Sequence, residues 1–432
     1  MPRYVARPLR EFLDTEVAGG IVLLAATLLA LLWVNSPLGD SYERLWTTEL
    51  SLNLGNFELS EDLRNWVNDG LMAIFFFVVG LEIKRELVRG ELRGARRATL
   101  PVIAAVGGMV VPALLYLSLN LGGPGSRGWG IPMATDIAFA LGVLALVAPR
   151  SPHGLRTFLL SVAIVDDIGA IAVIAIFYSS GINLVSLGIA VGLLGFIYFL
   201  RSIRVWWVPI YVVLGAAVWL AVFESGVHAT IAGVALGFLA PAHALEPEAR
   251  RRIPLFEDEE GEAESDSAGE LPASVARAAA LRVQASTPVI ERLEHELHRW
   301  TSFVIVPIFA LANAGVVLSR DAVGNALGST VTLGIVLGLV VGKVVGIAGS
   351  TWVAARSGIG ALPDGVDHAG MLGIAGLAGI GFTVSLFIAS LAFEPDGPID
   401  EAKMGILLAS VIASAVGGVL LRATRKQRQE EG

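Results

Sequence analysis

Thr157-Phe-Leu-Leu-Ser-Val-Ala-Ile-Val-Asp-Asp-Ile-Gly-Ala-Ile-Ala-Val-Ile-Ala-Ile-Phe177 is an apolar run with two adjacent carboxylates, Asp166 and Asp167, near its middle. No other charge occurs between Arg156 and Arg201. The run is long enough to cross a bilayer, whose core of roughly 30 Å takes about 20 apolar residues as a helix. A carboxylate at the centre of such a helix costs roughly 2.5–3.5 kcal/mol on insertion scales, so two together need a reason. Ion or proton handling is the default one.

The rest of the chain agrees with a membrane setting. Of its 432 residues 54% are hydrophobic and 16% charged, with 49 glycines, and the mean hydropathy is +0.69. Apolar blocks of spanning length recur along nearly the whole sequence, which defines an all-α polytopic membrane protein without a separate soluble catalytic domain. Arg3, Arg7 and Arg10 precede an apolar stretch from Val17 to Val34, but no small-residue cleavage site follows before Asn35-Ser36-Pro37, so this is read as an uncleaved first span. The absence of cysteine excludes disulfides and thiol catalysis, and six scattered histidines show no ligand spacing, which argues against metal enzymology and resident cofactors. Nucleic acid is not an expected partner; the lipid bilayer is. The net charge of −8 resides in one stretch, because Glu257 to Glu270 holds eight acids and no base. That stretch reads as a solvated, disordered linker, with cation buffering or regulation as the alternative.

Spans start near Val17, Leu63, Leu100, Trp129, Thr157, Leu184, Trp206, Glu224, Trp300, Leu327, Met371 and Met404, twelve in all. Lys84, Arg85, Arg89, Arg93, Arg96 and Arg97 crowd one connection, Arg201 and Arg204 another, and Arg422, Arg425, Lys426 and Arg428 the 422–432 tail, and the positive-inside rule makes these cytoplasmic. Both termini then lie inside. Segment 36–62 is periplasmic, and Leu50 to Leu59 alternates around Gly55-Asn56 as a small β-hairpin. Segment 241–289 is an acidic cytoplasmic loop. Two stretches rich in Gly or Pro interrupt spans in the two halves, Gly128 to Asp136 and Gly373 to Thr383, and each is a candidate broken helix. Paired interruptions of this kind point to a transporter site at an inverted-repeat interface.

Two further spans carry isolated charges. Asp136 is the only one between Arg127 and Arg150, and Lys343 the only one between Asp321 and Arg356. A buried ion pair that merely fixes helix packing is the bland reading; four such groups exceed what packing requires. Successive helical residues point about 100° apart, so one of Asp166 and Asp167 can coordinate an ion while the other pairs. A hard cation takes oxygen ligands, which Asp167, Asp136, the Thr135 hydroxyl and carbonyls freed at a broken helix supply. Asp136 suits facing half-helix N-termini, and Lys343 suits facing C-termini. The hydroxyls of Thr135 and Thr383 bond either there or to their own helices.

At the cytoplasmic end of the second span, Asn68-Asp69-Gly70 is followed by Gly80-Leu-Glu-Ile-Lys-Arg-Glu86. Glu82, Arg85 and Glu86 are either snorkelling charges at a membrane edge or an ion-attracting funnel whose protonation tracks pH. His228, in Ser225-Gly-Val-His-Ala-Thr230, reads first as a packing histidine.

Taken together, Gly80 to Glu86, Ala134-Thr-Asp-Ile-Ala-Phe-Ala-Leu-Gly142, Val162 to Ile171 and Ala378-Gly-Ile-Gly-Phe-Thr383 closely resemble the NhaA family of bacterial sodium/proton antiporters. That family is itself an example of the inverted-repeat architecture with discontinuous helices. Supporting stretches are Gly226 to Thr230, Leu293-Glu-His-Glu-Leu-His298, Phe309 to Gly315 and Gly342-Lys343. The resemblance implies two crossed broken helices, Na+ binding and proton exchange at Asp167, and Asp166 either assisting it or pairing with Lys343, with Asp136 and Thr135 beside the crossing. It further implies electrogenic exchange of cytoplasmic Na+ or Li+ for two external protons, faster at alkaline pH, in the inner membrane. It assigns Glu82, Arg85, Glu86, Glu294, His295 and His298 to a cytoplasmic pH response, with Asp69, His228 and Thr383 in support. One departure bears on that response: Glu291 stands where the best-known member has lysine. The resemblance also implies a homodimer to which the first periplasmic hairpin contributes.

Rival readings are an intramembrane aspartyl protease, in which two carboxylates share a proton, and a sodium-coupled symporter. The contexts Ala134-Thr-Asp136 and Val165-Asp-Asp167 do not resemble those of the proteases, and no organic-substrate site is recognisable.

Overall fold

The computed structural model describes residues 3–430 apart from 55–56, 150, 180, 204, 206, 243–287, 361, 363–365 and 395–396. The acidic run Glu257 to Glu270 and nearly all of the 241–289 loop lie outside the described residues, as does the Gly55-Asn56 turn. What is described is predominantly helical. Six helices are long and apolar enough to cross a membrane: Val17–Val34, Arg97–Asn120, His153–Phe177, Leu184–Ser202, Thr330–Arg356 and Ile399–Ala423. Two bent pairs raise the number to eight, and Val208–Glu224 and Thr230–Leu239 are shorter apolar helices. Among the described residues, length and composition therefore support a multi-pass protein with six to eight such spans; the count of twelve is not reached by this measure, which leaves out shorter apolar helices. The span expected from Glu224 begins at Thr230, because Glu224 closes the preceding helix and Gly226, at φ +75°, turns the chain.

The spans divide by what they touch. Only 17% of the most apolar stretch of Leu184–Ser202 is buried, against 56% for Thr330–Arg356. Leu184 and Val185 are among the most exposed side chains of the first, so it faces lipid, whereas the second is enclosed by other helices. The inner helices approach closely through small residues, as membrane helices do where apolar burial gives no net driving force. The Ala95–Asn120 helix packs along Lys343–Arg356 with Gly107 against Gly346, and a Cβ on Gly346 would collide with the Gly107 carbonyl oxygen. This contact carries Lys343 into the interior.

Both predicted interruptions are real breaks. The first is a 3-10 helix, Ser126–Met133, joined to Ile137–Val147 at 44°. The second joins His368–Leu377 to Phe382–Ala392 at 47°. Pro132 sits in the first, and Gly376, Gly379 and Gly381 lie around the second; at Gly379 a Cβ would press into the Leu339 carbonyl oxygen, so no larger residue fits the crossing. Three π-helical turns, Trp66–Leu71, Thr301–Ile305 and Gly338–Gly342, interrupt other helices without such a signal in the sequence. The last immediately precedes Lys343.

The hairpin forms as expected: β1, Glu49–Leu54, pairs antiparallel with β2, Phe57–Asp62, with Glu49 opposite Asp62 and Leu54 opposite Phe57. Asp62 then caps the next helix by accepting from the Asn65 N–H at 2.7 Å. A short helix in the same segment, Gly39–Trp46, was not anticipated; it buries Tyr42 and Trp46 on one face, and the Tyr42 hydroxyl donates to the Leu311 and Ala312 carbonyls.

Candidate functional site

The two breaks cross each other at Thr135 and Asp136. The Asp136 N–H donates to the Ile380 carbonyl at 2.7 Å, and the Thr135 hydroxyl donates to that of Ala378 at 2.8 Å. These are backbone groups that a broken helix leaves without helical partners, and in a membrane interior they must be satisfied by protein. The Asp136 carboxylate faces two helix N-termini at once. Its Oδ1 accepts from the Phe139 N–H at 3.0 Å, and its Oδ2 accepts from the Thr383 N–H at 3.1 Å and the Thr383 hydroxyl at 2.7 Å. A negative charge is favoured there by the free N–H groups of both half-helices. The hydroxyls of Thr135 and Thr383 thus bond across the crossing.

Asp166 and Asp167 point to different places. Asp166 is fully buried; its Oδ2 accepts from Lys343 Nζ at 2.5 Å and from the Thr135 hydroxyl at 2.9 Å. Lys343 Nζ also donates to the Met133 carbonyl at 2.5 Å, at the C-terminal end of the Ser126–Met133 helix, where a cation offsets the exposed carbonyls. Asp167 instead lines a cavity of about 80 Å³ together with Glu82, Thr135, Asp136, His298 and Thr383. Its Oδ1, like that of Asp166, is buried and has no hydrogen-bond partner among the described residues. Of the two expectations for Asp166, assisting Asp167 or pairing with Lys343, the geometry matches the second: Asp166 is engaged by Lys343 and Thr135, outside that cavity lining. The 100° step between consecutive residues produces this division of labour.

Among the described residues no three His, Asp or Glu side chains converge as a metal cage. The cavity lining offers oxygen atoms of the kind a hard cation takes, from the Asp167, Asp136 and Glu82 carboxylates and the Thr135 and Thr383 side chains.

A family model described as Na+/H+ antiporter 1 matches residues 10–421. The chain belongs to the Na+/H+ antiporter 1 family. It is 47% identical to Na+/H+ antiporter NhaA 3 of Frankia alni over 97% of this chain and 89% of that one. It is 46% identical to NhaA of Oleidesulfovibrio alaskensis, covering 98% and 95%, and 46% identical to NhaA of Rhodopirellula baltica, covering 96% and 94%. A solved structure, the sodium proton antiporter MjNhaP1 of Methanocaldococcus jannaschii, aligns over 98% of this chain at 13% identity and a TM-score of 0.49, a distant likeness from which nothing further follows.

In this antiporter the remaining sequence candidates fall into two groups at opposite ends of one helix, in which the π-turn Trp66–Leu71 runs on into Met72–Val88. At one end Arg85 joins Glu294 in an ion pair and lies 3.3 Å from Glu86, while Glu82 and His298 reach the cavity. Glu291 pairs with Arg89 at 2.7 Å, so the residue that departs from lysine is held by an arginine four residues beyond Arg85. Glu294 is buried, and burial pushes its carboxyl above the ordinary glutamate value, with Arg85 and His298 opposing and Glu86 and Glu291 reinforcing the shift. His295 is exposed and lies outside the cavity wall, so the structure does not bring it into this group.

At the other end Asp69 faces His228, with Nε2 at 3.5 Å from Oδ1. The sequence grouped Asp69 with the cytoplasmic charges, but thirteen residues of helix, about 20 Å, separate it from Glu82. Asp69 follows the hairpin by seven residues, and Trp66 beside it donates to the Leu50 carbonyl of β1 at 2.9 Å. Sequence reading missed the contact of Asn68 with Asn313, whose Nδ2 donates to Asn68 Oδ1 at 2.8 Å. Both were visible as polar residues in apolar runs, but nothing in the sequence paired them across 245 positions. It also missed that Lys84 and Arg201 donate to the terminal carbonyls of the Thr230–Leu239 helix.

Proposed function

We propose that this protein exchanges cytoplasmic Na+, or Li+, for external protons, two per cation, with Asp167 as the group for which cation and proton compete. The observation that carries this reading is the separation of the paired aspartates: Asp166 is neutralised by Lys343, while Asp167 faces the cavity beside the crossed helices. When a proton occupies Asp167 the cation loses that carboxylate, and when the cation occupies it that proton must leave; the second proton of each cycle is carried on a second ionisable group. Asp136 and Lys343 hold the crossed half-helix ends in register while this happens. Moving one net charge inward per cycle couples exchange to the membrane potential, worth about 2.3 kcal/mol per charge per 100 mV, which then helps expel sodium.

The wider reading is a twelve-span, inverted-repeat protein of the bacterial inner membrane, with both termini, the 241–289 loop and the 422–432 tail cytoplasmic. The 36–62 hairpin is periplasmic and takes part in a homodimer. Glu82, Arg85, Glu86, Glu294 and His298 respond to cytoplasmic pH at the mouth of the cavity. The arrangement of basic residues around Arg85 and the interhelical Arg85–Glu294 pair support this placement.

The test is reconstitution in sealed vesicles with an internal pH dye. Adding NaCl or LiCl to acid-loaded vesicles alkalinises the lumen, KCl and choline chloride do not, and Asp167→Asn abolishes the response. No sodium or lithium response between about pH 6.5 and 9 by folded protein, or ordinary exchange by Asp167→Asn, overturns the reading.

A further inference from the structure

The cavity at Asp167 is drawn out along two stretches of helix. Met72–Val88 lines it from Phe75 to Glu82, about 10 Å along the axis. The chain from His298 through the π-turn Thr301–Ile305 to Val306 lines it over about 12 Å. Glu82 and His298 mark the same end, because just outside them Arg85 pairs with Glu294. Ser302 stands one turn inside that end, four residues beyond His298. At the corresponding depth, three and four residues before Glu82, the other helix presents Val79 and Val78. An ion moving inward from Glu82 therefore passes valine on one helix and serine on the other.

The hydroxyls of this cavity differ in what they bond. Thr301 donates to the His298 carbonyl of its own helix at 2.9 Å, Thr383 to Asp136, and Thr135 to Asp166 and the Ala378 carbonyl. Ser302 alone among them has no hydrogen-bond partner among the described residues. A hydroxyl shut away from bulk water is costly unless it is bonded, so its partner is whatever occupies the cavity. The backbone around it is unusual as well. Turns of π-helix are rare and gather at functional sites; in this one Thr301 and Ser302 line the cavity while Phe303 and Val304 are exposed on the outside. The first span approaches here through Gly19, where a Cβ would lie 3.0 Å from that of Ser302. Alanine at 302 keeps that Cβ and removes only the oxygen.

We propose that the Ser302 hydroxyl is a ligand of the transported cation, a neutral oxygen that acts together with the Asp167 carboxylate. The inference rests on the exchange reading and adds a residue to its cation site. A hard cation that sheds water on entering a narrow cavity takes other oxygen atoms in its place, and Ser302 supplies one at a depth where the Met72–Val88 helix offers only valine. Because a serine hydroxyl keeps its proton throughout the cycle, it strengthens the hold on Na+ and Li+ without taking part in the proton's side of the competition.

The test compares Ser302→Ala with the parent in sealed vesicles carrying an internal pH dye. The apparent KM for Na+ and for Li+ rises by about five- to ten-fold, the effect of one lost polar contact, and at saturating cation the rate returns to that of the parent. Ser302→Cys is nearly the same size, but its sulfur is a soft ligand, so it raises KM in the same way. It is also the sole thiol, since the chain has no cysteine, and it reports occupancy of the cavity. Sodium or lithium at about five times the apparent KM of this variant slows alkylation by a small maleimide by about six-fold, and potassium and choline leave it unchanged. If Ser302→Ala fails to insert, Ser302→Cys carries both readouts. Folded variants with the parent KM for both cations, or a thiol alkylated at the same rate with and without sodium, overturn the assignment of Ser302. A parent protein without a sodium or lithium response strikes the exchange reading itself, whereas a responsive parent matched by its Ser302 variants strikes this ligand alone.

Discussion

Replacing Lys343 by methionine isolates what the buried ion pair contributes. Lys343 has no exposed surface, and its ammonium bonds only inward, to Asp166 and the Met133 carbonyl at 2.5 Å each. Methionine fills much the same volume, so the loss is electrostatic rather than a cavity. Removing one partner of a buried pair costs about 3–5 kcal/mol, because the other charge stays behind. A second route to the magnitude is that the stranded Asp166 takes up a proton instead; at pH 7, against an ordinary carboxylate value near 3.9, this costs about 4 kcal/mol. The two agree. With an unfolding entropy of about 2.1 cal/mol/K per residue, the 432 residues amount to roughly 0.9 kcal/mol/K, and the melting temperature falls by about 4 °C. Segments that stay in the bilayer on unfolding reduce that entropy and make the fall larger. The assay is thermal unfolding of purified protein followed by tryptophan fluorescence. The double variant Lys343→Met with Asp166→Asn, in which no charge is stranded, regains most of the loss. A Lys343→Met protein that melts within about 1 °C of the parent, or a double variant whose losses simply add, refutes the pairing argument.

Three further outcomes follow from the same geometry. Thr383→Val removes the hydroxyl bonded to Asp136 at 2.7 Å and lowers stability by about 1.5–3 kcal/mol along with sodium-dependent proton flux, whereas Thr383→Ser keeps both; equal flux from valine and serine variants in vesicles would contradict a role for the hydroxyl. Glu294 titrates above its unfolded value because it is buried, so its contribution to stability is full below the ordinary glutamate value near 4.3 and is lost as pH rises through the folded value. Glu294→Gln therefore flattens the decline of melting temperature from about pH 4.5 upward, by at most about 1.4 kcal/mol per pH unit, and parallel melting curves for the two proteins would dismiss the shift. Deleting Glu257 to Glu270 leaves exchange largely intact, as a solvated linker requires, and complete loss of flux in a normally inserted protein would assign that segment a direct role.

The membrane class, the two breaks and the four deep charges were legible because each rests on local composition. Apolar length reports a span, glycine and proline report where a helix stops, and a charge in hydrocarbon is conspicuous at any position. Motif resemblance then carried the family. The sequence did not say which of Asp166 and Asp167 faces the cavity, because that depends on the rotation of one helix against its neighbours. That rotation follows packing such as Gly107 on Gly346 and the π-turn before Lys343, neither of which has a pattern along the chain. The misplacement of Asp69 has the same origin: adjacency in sequence put it with Glu82, whereas a helix carries the two about 20 Å apart.

The amino-acid sequence by itself determined that this chain crosses the membrane repeatedly and holds ionisable groups inside it, since the cost of burying charge is a property of residue and solvent alone. Only the tertiary structure decided how those groups divide. Lys343 neutralises Asp166 and a helix end, Asp136 secures two N-termini, and Asp167 faces the cavity. Each of these depends on atoms brought within a few ångströms from distant parts of the chain, and at that range direction and distance, not residue type, set the interaction.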